Sequence, residues 1–234
     1  MSAARRAALP LVAFALSAAV QAAWVGNPAH PREGGGAAVV YDWGKRDVSS
    51  SGPGSASVSL ESRGLYLEHR SSLNRVFQGS LRLLPFTGRM ELEGAGFNPH
   101  LAGGGLGLHF SPPEPLGPVR VGAQVTWDGL AGARKRDTPG ASGKHYDRVF
   151  WSEALVAAAV SYAPLDAWGV YGGPSWNKLD VHFNVNGASS DWSEDQAWGA
   201  FFGGELNPNE AWTVAGEFRV GHEQSLALTL RYNY

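Results

Sequence analysis

The chain has 234 residues, no cysteine and a formal net charge of −2, from 19 basic and 21 acidic side chains. The lack of cysteine excludes disulfides and thiolate metal sites, and the near-balanced charge offers no clustered basic face for nucleic acid. Beyond the N-terminus no run approaches the roughly 18 consecutive apolar residues of a spanning helix, while 31 glycines and 9 tryptophans favour strands over helices.

Arg5 and Arg6 precede an apolar stretch from Leu9 to Val20, and Val20-Gln21-Ala22 sets small residues where a signal peptidase reads. Residues 1–22 are therefore expected to be a secretory signal peptide, cleaved after Ala22. Its apolar core of about a dozen residues is shorter than the roughly 20 that a spanning helix needs. Residues 23–36 read as a short N-terminal segment and 37–234 as one all-β domain.

Along that domain the apolar residues recur with period 2, which specifies strands with two unlike faces. Two less regular segments cover 37–46 and 57–69. The second half of 73–86 joins a strand in which Met90 and Leu92 oppose Arg89, Glu91 and Glu93. Ala102, Leu106, Leu108 and Phe110 oppose Gly103, Gly105, Gly107 and His109; Val119, Val121, Ala123, Val125 and Trp127 oppose Arg120, Gly122, Gln124 and Thr126. Segments 148–162 and 167–183 follow. The apolar parity of the second changes after Trp176, which predicts a β-bulge near Asn177 and Lys178. After 196–206, Trp212, Val214, Gly216, Phe218 and Val220 oppose Thr213, Ala215, Glu217 and Arg219. Last, Leu226, Leu228, Leu230, Tyr232 and Tyr234 oppose Ser225, Ala227, Thr229, Arg231 and Asn233.

Ten strands result. The connections 111–118, 163–166 and 207–209 are tight, whereas 129–147 and 184–195 are longer and polar. Short turns at one rim and long loops at the other suit an outer-membrane barrel. So does the placement of charge, because the Arg and Glu side chains share a face with Gly, Ala, Ser and Thr. Such a face suits a narrow lumen and would leave a soluble core nearly empty. Aromatic positions define two girdles, Phe110, Tyr162, Trp168, Trp212 and Tyr234 near one rim and Trp43, Trp127, Phe150, Trp176 and Trp198 near the other. The sequence thus predicts an all-β, antiparallel up-and-down transmembrane β-barrel. Ten strands put both termini on the periplasmic side; eight is the alternative, should the first two segments stay out of the sheet.

The last strand, with alternating apolar residues and the terminal aromatic of Leu230, Tyr232 and Tyr234, resembles the carboxy-terminal signal that barrel assembly machinery recognises. Trp168-Gly169-Val170-Tyr171-Gly172-Gly173-Pro174-Ser175 is similar to a strand opening of the opacity-type and outer-membrane-protein-A-like small barrels. The resemblance extends over nearly all of the mature chain. It implies a bacterial outer-membrane location, with lipopolysaccharide and other outer-membrane lipids as surroundings and no cofactor.

Candidate chemistry is sparse. His222, Glu223 and Ser225 superficially suggest a hydrolase, but the motif of the lipid A deacylases is absent, and His109 has no identifiable acidic partner. Asp191, Glu194 and Asp195, with His145 and His182 as neighbours, fall at the rim where omptin-like proteases act, without a matching spacing. Arg134, Lys135, Arg136 and Lys144 could meet lipopolysaccharide phosphates, although a solvated loop is the commoner meaning of such a run. The coherent set is the charged lining: Arg89, Glu91, Glu93, Arg120, Glu153, Glu205, Glu217, Arg219 and Arg231. Unpaired charge in a narrow lumen is costly, so these are expected to pair and plug the interior. The expectation is a non-enzymatic outer-membrane barrel with a structural or surface-interaction role. A narrow porin-like channel is the alternative, and a lipid hydrolase or omptin-like protease a third reading.

Overall fold

The computed structural model describes residues 26–29, 34–50, 57–92, 100–114, 116–136, 145–165, 167–185, 188–194, 197–221 and 223–234. The expected signal peptide lies outside the described residues. Eleven strands follow in chain order: β1 (Gly35–Ser50), β2 (Ser57–Ser72), β3 (Phe77–Leu92), β4 (His100–Phe110), β5 (Val119–Arg136), β6 (His145–Leu165), β7 (Trp168–Val185), β8 (Ala188–Glu194), β9 (Trp198–Asn209), β10 (Trp212–Val220) and β11 (Gln224–Asn233).

Each strand but β8 pairs antiparallel with its neighbours in the chain, and β11 closes on β1 from Gly36↔Asn233 to Lys45↔Gln224. Ten strands form this ring, with both less regular segments fully in it as β1 and β2. The eleventh, β8, arises from the stretch read as a loop. The wall accordingly has two levels. Near the rim that carries Gly35 and Tyr234, here the proximal rim, β7 pairs with β9 up to Trp176↔Trp198. Farther along, β7 pairs instead with β8 from Asp180↔Ser193, and β8 reaches β1 through Val48↔Glu194, Ser49↔Ser193 and Ser50↔Trp192. The distal level is thus closed by eight strands, β1 to β8, above a ring of ten.

The reversals have local causes. At the proximal rim Asn74 Oδ1 accepts from Val76 N–H (2.8 Å) and Phe77 N–H (2.9 Å), and Asn209 Oδ1 accepts from Ala211 N–H (3.0 Å), as Asn does in tight turns. The turn expected at 207–209 is therefore displaced to Glu210 and Ala211, because pairing continues through Asn209. At the distal end of β10, Gly221 has φ +105°, and a Cβ there would press against the Gly199 backbone; only glycine fits the reversal. The stretch 129–147 is mostly strand, since β5 and β6 stay paired out to Arg136↔His145.

Inward and outward parity hold as the sequence indicates in β5, β10 and β11: Val125, Val214 and Leu228 are exposed while Gln124, Ala215 and Thr229 are buried. The predicted bulge at Asn177–Lys178 is not there. β7 keeps one register with β6 from Ser175 to Asn184, so Leu179, Val181 and Phe183 point inward along with Tyr171 and Asn177. The parity is constant; what changes is the chemistry of the inner face. In the distal half the inside is an apolar core of Val48, Leu60, Leu101, Leu130, Val149, Trp151, Leu179, Val181 and Phe183. The outside there carries Lys178, Asp180, His182 and Asp191.

Candidate functional site: the lumen

Three layers fill the interior. The distal one is the apolar core, on which Trp192 of β8 packs, edge to face with Phe183 at 6.3 Å between centroids. An eight-stranded barrel is narrow enough for side chains to fill it, and bulky residues from β1 to β7 do so.

The middle layer is ionic. Arg219 on β10 donates from Nη2 to both oxygens of Asp42 on β1 (3.0 and 2.9 Å), and its Nη1 lies 2.5 Å from Glu223. Arg46 donates from Nη1 to Glu153 (3.0 Å) and from Nη2 to Glu223, with its guanidinium 5.3 Å from the centre of the Trp151 ring. Glu153 also accepts from Asn177 (2.9 Å) and Trp151 (3.2 Å). A second cluster centres on Glu68, which accepts from Arg70 (2.5 Å), Arg82 (3.2 Å) and Arg231 (3.4 Å), and Arg82 donates to Asp128 (3.2 Å). Gly105 leaves the space that Asp128 occupies, since a Cβ at 105 would collide with its carboxylate. Charges so deeply buried are tolerable only because each meets opposite charge and hydrogen bonds.

The proximal layer comes from the segment that precedes the barrel. Gly26 N–H donates to Glu217 (2.8 Å), and Asn27 Nδ2 donates to Ser161 (3.2 Å) and Glu205 (3.2 Å). Ala29 is buried against Leu155, Ala157, Ala159, Tyr171 and Phe201. A side chain at Gly122 would strike the Pro28 carbonyl. Residues 26–29 thus lie inside the ring, in its proximal half.

Of the lining residues read from the sequence, Glu153, Glu205, Glu217 and Arg219 are buried inside, and Arg231 joins Glu68. Arg120 is half-buried at the proximal end of β5, in register with the buried Ser161. Arg89 and Glu91 are described by their backbone only. They are in register with Arg63 and Glu61, whose side chains are 44% and 36% exposed. The side chains of Arg89 and Glu91, and all of Glu93, lie outside the described residues. Asp42, Arg46, Glu68, Arg70, Arg82 and Asp128 were not singled out in the sequence, and Glu223 only beside Ser225 as a hydrolase candidate, yet together they form most of the network. The signal was there in β1, where Asp42 and Arg46 share the even-numbered face with Ala38, Val40 and Val48; that mixture of charge and apolar bulk hid it.

The aromatic rows take the outer face. Phe110, Tyr162, Trp168 and Tyr234 are exposed near the proximal rim, with Trp212 half-buried against Tyr232 at 5.1 Å. Trp127, Phe150 and Trp198 are exposed farther along, Trp176 is paired directly with Trp198, and Trp43 donates to Glu61 (3.0 Å). Among the acid and histidine candidates, His182 and Asp191 meet at 2.6 Å on the distal exterior, while Glu194 turns inward. Ser225 donates to Glu223 (3.2 Å), whose carboxylate is held by Arg46 and Arg219, and His109 Nε2 lies 3.1 Å from Ser80 Oγ. Asp195, Lys144, His222 and the side chains of His145, Arg134, Lys135 and Arg136 lie outside the described residues. Among the described residues no three acidic or histidine side chains converge to hold a metal ion.

No protein-family model matches the chain, and no curated protein matches its sequence. Among solved structures the chain is similar to the translocator domain of the autotransporter NalP from Neisseria meningitidis, at 11% identity and a TM-score of 0.49 over 98% of this chain and 95% of that one. It is also similar to an outer membrane channel from Pseudomonas putida F1, at 11% identity and a TM-score of 0.48, covering 91% and 100%. A third similarity is to Ail, the attachment invasion locus protein of Yersinia pestis, at 12% identity and a TM-score of 0.35, covering 87% and 99%.

Proposed function

We propose that this chain is an integral protein of the bacterial outer membrane with a closed lumen, acting as a structural or surface-interaction barrel and not as an enzyme or an open pore. The observation that carries the membrane reading is the outward apolar belt of the ten-stranded level: Leu106, Val125, Val156, Val170, Phe202, Val214 and Leu228 are each more than 40% exposed. A continuous apolar belt around a closed ring, bracketed by aromatic rows, is unfavourable in water and suits lipid. Closure leaves no unpaired strand edge in the belt among the described residues, as lipid requires.

The short proximal turns and the two termini then face the periplasm, and the distal extension stands outside the cell among lipopolysaccharide. The last strand, through Leu230, Tyr232 and Tyr234, serves the assembly machinery, and residues 1–22 are removed on export. The non-catalytic reading is supported by Glu223, the acid beside Ser225, being bound by two guanidiniums.

Planar-bilayer recording of the purified full-length protein tests the closed lumen. No steady conductance is expected. A stable conductance abolished by lumen substitutions would make this a narrow channel, and turnover of phospholipid or lipid A would make it an enzyme.

A further inference from the structure

β8 is attached to the barrel unequally on its two sides. It pairs with β7 at six positions, Asp180↔Ser193 to Val185↔Ala188, but with β1 at only the three from Val48 to Ser50. Among the described residues those three pairs alone close the distal level on that side, because β11 leaves β1 at Lys45. The last residue of β8 is Glu194. Its side chain is 3% exposed and neither oxygen accepts a well-formed hydrogen bond among the described residues.

The groups that face Glu194 come from every neighbouring element. Arg46 of β1 is 3.7 Å away, but its guanidinium already serves Glu153 of β6 and Glu223 of the β10–β11 reversal. Asn177 of β7 is the remaining polar neighbour. Glu194 is therefore a third carboxylate on Arg46, although Glu223 is also served by Arg219. A proton on Glu194 relieves that crowding of negative charge.

We propose that β8 is a proton-controlled latch over the distal mouth: neutral Glu194 lets it dock on β1, and ionisation of Glu194 releases it. Burial, reinforced by Glu153 and Glu223 against the opposing pull of Arg46, raises the Glu194 carboxyl from 4.5 to about 8. Because the docked form holds the proton more tightly than the released form, docking is strongest below about pH 4.5 and weakens as pH rises through about 8. Across that window the release equilibrium moves by about tenfold per pH unit, one proton being linked. Release uncovers Trp192 and Phe183, so the latch governs access to the distal apolar core. It does so whichever rim faces the cell exterior.

The test uses the natural absence of cysteine. Ser49 and Ser193 are directly paired across the junction, so the S49C/S193C protein carries one spin-label pair there. In nanodiscs the label separation is expected to be short at pH 5 and to gain a long component by pH 9. Glu194→Gln added to the same pair should hold the short separation at both values, and Asp191→Asn, which removes the exposed His182 contact instead, should leave the pH response intact. An unchanged distance distribution from pH 5 to 9 overturns the latch. So does a pH response that persists in E194Q or vanishes in D191N.

Discussion

The two levels of the barrel solve opposite problems with the same strands. In the ten-stranded half, large apolar residues such as Leu228 and Val214 point out and the interior holds arginine–carboxylate networks. In the eight-stranded half, Leu179, Val181 and Trp151 point in and Lys178, Asp180 and His182 point out. From Val170 to Asn184 β7 keeps one register with β6, so the inversion lies in the residues chosen and not in the backbone. Strand length fits the same division. The 21 residues of β6, at about 3.3 Å each and tilted about 45°, rise roughly 50 Å, about twice the apolar band of a membrane barrel. The proximal half is built for lipid, and the distal half is built like a water-soluble barrel standing above it. On the proposed closed-lumen reading, paired charge seals the barrel where the wall is wide and packing seals it where it is narrow.

The largest effect that would break this contrast is loss of a lumen cation. Arg219→Met leaves Asp42 and Glu223 short of a partner in a fully buried site. Unfolding in lipid vesicles should show a loss of about 3–5 kcal/mol, the usual consequence of breaking a buried pair. A cost near zero would mean that water reaches the network.

The next comparison sharpens the outer faces. Leu228→Arg should cost about 2–4 kcal/mol if position 228 is near the bilayer midplane. Ala133→Arg, on the exposed face of the distal half of β5, should stay within about 0.5 kcal/mol, as surface substitutions do. Similar costs at both positions, read by the same unfolding assay, would erase the distinction between the two levels.

Smaller still is the expected response to removing the proximal segment. A chain lacking residues 23–33 should remain without steady conductance, because the distal core of Trp151, Leu179 and Val181 still closes the mouth. Bilayer recordings that show an open pore in this deletion would assign the seal to residues 26–29 instead.

Much of the proximal half was legible in the sequence, and the reason is physical. Alternation in β5, β10 and β11 separates large apolar from small or charged residues because lipid and a crowded lumen select oppositely. In the distal half both faces depart from that rule, so Leu179, Val181 and Phe183 suggested a bulge where there is only a change of surroundings. Asp42 and Arg46 were hidden by Val40 and Val48 on the same inner face of β1. Residues 26–29 carry no periodicity; their place in the lumen follows from Asn27 finding Ser161 and Glu205, partners more than 130 positions away. Nothing local encodes such contacts.

The inversion itself is open to one direct measurement. Single cysteines at Leu228, Thr229 and Asp180, spin-labelled in nanodiscs, can be compared for contact with oxygen in lipid and with a polar relaxation agent in water. The account predicts that 228 meets lipid, that 229 meets neither freely, and that 180, although outward like 228, meets water. A label at 228 that meets water, or one at 180 that meets lipid, would contradict a barrel that is lipid-facing in one half and water-facing in the other.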